Sequence, residues 1–111
     1  MTIDAISLDR MFHALSDSSR RGMIDRLGLG PASVMELAAP FPMALPTVMK
    51  HLNVLETSGL VQSAKAGRVR TYQLRRERLA ELERWIGERK AGWNSAFDRL
   101  DLLLAEEEPK P

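Results

Sequence analysis

The chain contains no cysteine, and only one tyrosine, two tryptophans and three phenylalanines occur among its 111 residues. The absence of cysteine excludes a disulfide framework, thiolate metal ligands and a cysteine nucleophile, and it fits an intracellular protein. No run approaches the roughly 18 to 20 apolar residues of a membrane span. The first ten residues carry Asp4 and Asp9 where a secretory signal would be basic and then apolar. A cytoplasmic location with no membrane partner is therefore expected. Catalytic signatures are missing as well: there is no glycine-rich phosphate loop, no HExxH and no recognisable grouping of Ser, His and Asp. The pairs Glu81 and Glu83, or Asp98 and Asp101, are spaced for solvated helix surfaces, so no enzymatic activity and no cofactor are expected.

Net charge is also nearly absent, with sixteen basic against fifteen acidic residues giving +1. That total conceals an uneven distribution. Residues 44–78 hold seven basic and two acidic side chains, residues 79–108 hold four and eight, and no acid occurs from Thr57 through Arg76. A basic middle cancelled by an acidic end is the electrostatic footprint of a protein that meets a polyanion on one side. Length and composition, 44% hydrophobic and 28% charged, are those of one small globular domain.

Hydrophobic spacing divides the domain into elements. Leu8, Met11, Phe12 and Leu15 make the stripe of a first helix near residues 7–15. Asp17, Ser18 and Ser19 offer cap oxygens to a second near 18–27, which Gly28, Gly30 and Pro31 stop. Ser33 and Glu36 have capping-box spacing, so a third helix should begin there and end before Pro40. Pro40 and Pro42 bracket a tight connection. Pro46 suits the first turn of a fourth helix, near 45–58, with Val48, Leu52 and Leu55 facing inward and Gly59 as its stop. Thr47, Lys50, Val54 and Thr57 then point outward, flanked by Met49 and His51.

Residues 60–64 and 69–74 are β-prone and joined through Lys65-Ala66-Gly67-Arg68, a hairpin with a basic tip. The remainder is helical: Leu79, Leu82, Ile86, Trp93, Phe97, Leu100 and Leu104 form one long apolar seam, in which Gly87 and Gly92 allow a bend or break near residues 87–92. Residues 1–105 are expected to be the domain and residues 106–111 a disordered tail. The fold class is mainly α, with about five helices and one β-hairpin wing.

A short helix, a tight turn, a second helix with an apolar inner side, and then a basic hairpin is the order of a winged helix-turn-helix. A B-DNA major groove about 12 Å wide admits one helix, and a flanking ribbon rich in Arg and Lys neutralises phosphates beside it. The pattern alone leaves open a small helical domain whose hairpin is merely solvated.

The run from Phe12 to Arg21 resembles the "ALADPTRR" opening of the ArsR family of winged-helix repressors. Glu36-Leu37-Ala38 is similar to that family's "ELA", Lys50 to Val61 to its "KHLxVLxxxGLV", and Gly67 to Leu74 to its wing. The resemblance covers roughly residues 8–104. It implies a homodimeric, sequence-specific DNA-binding regulator acting as a repressor on a pseudo-palindromic operator, with half-sites about 10 bp or a multiple apart. The partners expected are thus double-stranded DNA and a second copy of the chain. In the family the first and last helices build the dimer, which makes Phe12, Trp93, Phe97, Leu100 and Leu104 the candidate interface residues. The alternative for the seam is a helix folded back onto its own chain.

Metal-sensing members carry Cys pairs before the turn, or His and acid pairs on the last helix. Here the first stretch is Val34-Met35-Glu36-Leu37-Ala38 and the last helix has no His, so the sequence resembles a cysteine-free branch and no metal site is expected. Leu45 and Met49 replace the Gln and Ser common in the reading helix, and both suit apolar contact with a thymine methyl. The candidate DNA contacts are Thr47 and Lys50 in the groove, Pro46 and Met49 as apolar neighbours, His51 near a phosphate, and Lys65, Arg68 and Arg70 from the wing. Arg20 and Arg21 either add backbone contacts or pair with acids such as Asp17 or Asp25. No residue names a small-molecule effector. The competing function is a winged-helix interaction module that docks a protein partner through the C-terminal seam.

Overall fold

A computed structural model describes residues 3–107. Five helices and three short strands follow in the order α1 (Ala5–Leu15), α2 (Ser18–Leu27), β1 (Ala32–Ser33), α3 (Val34–Ala38), α4 (Leu45–Thr57), β2 (Val61–Ala66), β3 (Val69–Leu74) and α5 (Arg76–Glu107). Among the described residues no helix is long and apolar enough to cross a membrane.

The caps are local and follow from the sequence. Asp4 and Asp17 accept the amides of Ser7 and Arg20 at the starts of α1 and α2, and each of the two helices has this single short side chain as its N-cap. Ser33 and Glu36 complete the expected capping box, Oγ accepting from the Glu36 amide at 3.3 Å and Oε1 from the Ser33 amide at 3.1 Å. At the end of α4, Ser58 Oγ donates to the Leu55 carbonyl and Gly59 turns the chain with φ of +84°.

The sheet is antiparallel in the order β1-β3-β2. In the hairpin, Ala66 pairs with Val69, leaving Gly67-Arg68 as a two-residue turn whose first residue has φ of +62°. A primed hairpin turn requires positive φ at that place, which glycine adopts without strain. The two-residue β1 was not expected. It pairs Ala32 with Tyr72 and Ser33 with Thr71, fastening the start of α3 to the base of the wing.

Met11, Ala14, Met23, Leu27, Leu37, Val48, Leu52, Leu55, Leu60 and Val61 form the core, closed by Tyr72 and, from α5, Leu82. The stripe of α1 is therefore centred on Met11 and Ala14. Phe12 lies at its edge, 44% exposed, with its ring edge-on to Trp85 of α5 at 5.8 Å between centroids. Arg89 stacks over the other ring of that pair, 4.4 Å from the Trp85 centroid.

α5 is a single helix of 32 residues, about 48 Å long at 1.5 Å per residue, with no break at Gly87 or Gly92. Only one residue, Arg75, separates it from β3, and the Arg75 amide is bonded to the Leu60 carbonyl at 2.9 Å. Its first turns pack on the body through Leu79, Leu82 and Trp85, and the rest projects, so the molecule measures 75 × 33 × 23 Å. The helix is not folded back on its own chain. It continues through Glu106 and Glu107, two residues into the expected tail, whose remaining residues 108–111 lie outside the described residues.

Candidate nucleic-acid interface

α4 is built to turn one side to the core and the other to solvent. Val48, Leu52 and Leu55 are completely buried, whereas Pro46, Thr47, Met49 and Lys50 are exposed. Pro46 begins the helix where an amide proton has no partner in any case. The outer side is sparsely charged, with Lys50 as its cation and Leu45 and Met49 adding apolar surface at 46% and 41% exposure. Val54 is half-buried rather than fully outward, since α1 lies beside it across an open groove lined by Asp9, Arg10, His13, Asn53 and Thr57.

The wing adds positive charge beside α4. Lys65 and Arg70 sit opposite each other on β2 and β3, and Arg68 occupies the turn. All three are exposed. Arg70 is also ordered: its Nη1 donates to Ser63 Oγ at 2.8 Å, and Ser63 Oγ donates to Glu56 Oε1 on α4 at 2.8 Å. One carboxylate of α4 thus holds a wing hydroxyl that in turn holds a wing guanidinium. Burial, reinforced by the negative charge of Glu56, raises the Tyr72 hydroxyl above its ordinary pKa. Tyr72 is a packing residue of the wing, 2% exposed.

His51 and the two arginines of α2 are placed differently. The His51 ring is turned inward, with Nδ1 3.2 Å from Arg20 Nη1 and 3.9 Å from Asp17 Oδ2. Arg20 is buried, its Nε donating to the Ala14 carbonyl at 2.8 Å and its Nη2 to that of His13 at 3.0 Å. Arg21 Nη1 donates to the Leu15 carbonyl at 2.8 Å. Arg20 and Arg21 thus share the task of capping the last carbonyls of α1, where the His13 carbonyl also accepts the Ser16 amide at 3.1 Å. Asp17 accepts the Arg20 amide, and this bond, with the Arg20 charge nearby, holds its carboxyl below the usual range.

The candidate interface residues of α5 lie along one stripe, exposed by 58% at Trp93, 62% at Phe97, 49% at Leu100 and 52% at Leu104. Phe12, on α1, meets Trp85, eight residues or about 12 Å along the helix from Trp93. Ile86 and Leu103 extend the stripe. Trp85 was missed by the periodicity because it sits at the margin of the seam rather than on it. Among the described residues no three His, Cys, Asp or Glu side chains gather as a metal site.

Comparison with known proteins agrees with this geometry. A helix-turn-helix domain family matches residues 15–63. The HTH-type transcriptional regulator Rv2034 of Mycobacterium tuberculosis is 46% identical over 76 residues, which cover 68% of this chain and 71% of that protein. The transcriptional repressor SdpR of Bacillus subtilis is 27% identical over 79 residues, covering 71% of this chain and 88% of SdpR. The crystal structure of the ArsR family transcriptional regulator RHA00566 superposes with a TM-score of 0.79 at 44% identity, covering 86% of this chain and 98% of that one.

Proposed function

The chain belongs to the ArsR family of DNA-binding transcriptional regulators, and from that membership we propose that it is a repressor that binds a pseudo-palindromic operator as a homodimer. The outer side of α4 enters the major groove, where Thr47 and Lys50 make the polar contacts and Pro46 and Met49 the apolar ones. Lys65, Arg68 and Arg70 lie on the backbone beside it, positioning the protein without reading sequence. The observation that carries this reading is the pairing of a helix whose inner row is completely buried and whose outer row is exposed with an exposed cationic hairpin. The repressor role takes its support from the resemblance to SdpR.

A homodimer accounts for the projecting part of α5. Ile86, Trp93 and Leu100, all exposed, recur every seven residues, the period with which one helix packs along another. Such a row standing in water would be an aggregation hazard on a monomer. Phe12 lies at the α1 margin of the same surface, against Trp85.

Two substitutions test the DNA reading. Lys50→Ala is expected to lower operator affinity by about 1 to 3 kcal/mol, measured by mobility shift on an operator recovered by genomic-fragment selection. Arg68→Ala is expected to weaken all sequences alike and to reduce the salt slope of binding by about one unit. Unchanged affinity for Lys50→Ala would remove α4 from the groove.

A further inference from the structure

The His51 ring has two charged neighbours that make opposite demands on one atom. Arg20 Nη1 is 3.2 Å from Nδ1 and Asp17 Oδ2 is 3.9 Å from it. A guanidinium only donates, so its bond needs a lone pair on Nδ1, whereas a carboxylate only accepts and would need a proton there. The Arg20 contact is within hydrogen-bonding distance and the Asp17 contact is beyond it. Arg20 is not free to turn away, because it is 8% exposed and its Nε and Nη2 are committed to the carbonyls of Ala14 and His13. The ring proton therefore sits on Nε2. The His51 side chain keeps 18% of its surface in solvent, and Nε2 is not among the buried side-chain atoms left without a partner in the described residues. His51 follows the exposed Thr47 by four residues and shares its edge of α4.

We infer that His51 donates a hydrogen bond from Nε2 to a DNA backbone phosphate, and that Arg20 fixes the tautomer and aims the ring for it. The inference rests on the DNA reading of α4 and adds a positioning residue that has no need to touch DNA. Arg20 ties the recognition helix to the end of α1, and it leaves His51 a single donor facing outward. An uncharged donor also differs from the wing cations, since it neutralises no phosphate and releases no counterion.

Long-range proton–nitrogen NMR correlations on the full chain read the tautomer directly, with protonated Nε2 and bare Nδ1 expected. Fluorescence anisotropy against a mixed-sequence duplex of about 30 bp, roughly three helical turns, across a range of salt, reads the DNA role. His51→Asn keeps an acceptor where Nδ1 stands, and with it the Arg20 bond, but has nothing at the Nε2 position. Its affinity is expected to fall roughly tenfold with the salt slope unchanged. His51→Gln places a donor near Nε2 and is expected to recover part of the loss. A ring protonated on Nδ1, a His51→Asn affinity within about twofold of wild type, a slope reduced by about one unit, or a His51→Gln variant no tighter than His51→Asn would each overturn the inference. A wild-type protein that fails to bind the duplex in a salt-dependent way would instead overturn the DNA reading of α4 and take this inference with it.

Discussion

At Gly59 the chain adopts φ of +84°, and a Cβ there would lie 3.0 Å from Arg78 Nε. Conformation and space therefore act against any side chain at this position. Gly59→Ala is expected to lower stability by about 1 to 3 kcal/mol in denaturant unfolding, and an unshifted midpoint would mean that neither the positive φ nor Arg78 resists a side chain there. The carboxylates at helix N-termini make a second prediction at this scale. The Ser33 amide and hydroxyl, with Arg26 behind them, hold Glu36 below its ordinary 4.5. The amides of Ser7 and Arg20 do the same for Asp4 and Asp17 below 3.8. A carboxylate depressed in the folded state stabilises the fold above its unfolded pKa and loses that contribution as pH falls through the folded one. The melting temperature should thus drop on acidification below about pH 4.5, and Glu36→Gln should flatten that drop, as calorimetry at stepped pH can measure.

Among the elements, α5 departs most from what its sequence suggests. Gly87 and Gly92 each weaken a helix relative to alanine, yet the helix passes through both, and nothing lies within 4 Å of where a Cβ would stand at either. Gly87→Ala and Gly92→Ala should each raise stability by about 0.5 to 1 kcal/mol without displacing a neighbour, which thermal unfolding checks. The elements that were legible beforehand are those whose cause is local: the Ser33 and Glu36 box, the Val48, Leu52 and Leu55 row of α4, and the Gly67 turn. Those that were not depend on distant partners. A two-residue strand such as β1 has no periodicity to detect and exists because β3 offers it a ladder. Nothing in the spacing of Arg20 and His51, 31 positions apart, announces their bond, and it is this bond that turns His51 from an open surface contact into a ring with one side engaged. The outward residues of α4 and the wing were legible because amphipathic spacing and charge sufficed to place them.

For the whole molecule, the cationic wing and the long apolar stripe occupy different regions. The basic residues of α4 and the wing lie on the body, whereas Trp93, Phe97, Leu100 and Leu104 lie along the projecting arm, where Asp98 and Asp101 stand among them in the chain. A charge placed within the proposed homodimer seam should separate the copies. Phe97→Glu or Leu100→Glu is expected to convert the dimer to monomer in analytical ultracentrifugation and to lower operator affinity with it, because two half-sites would no longer be gripped together. A wild-type protein that sediments as a monomer at micromolar concentration would return the seam to a different partner.

The single residue between β3 and α5 leaves almost no slack between the arm and the wing. A flexible tether would let the two DNA-binding bodies of a dimer adjust independently of the seam that joins them. In the proposed homodimer any slip of one arm along the other, such as the 5.4 Å of one helical turn, would reappear as movement of the hairpins. The separation of the wings would then be a fixed dimension set where the two arms register, far from the nucleic acid, and such a dimer would work as a caliper.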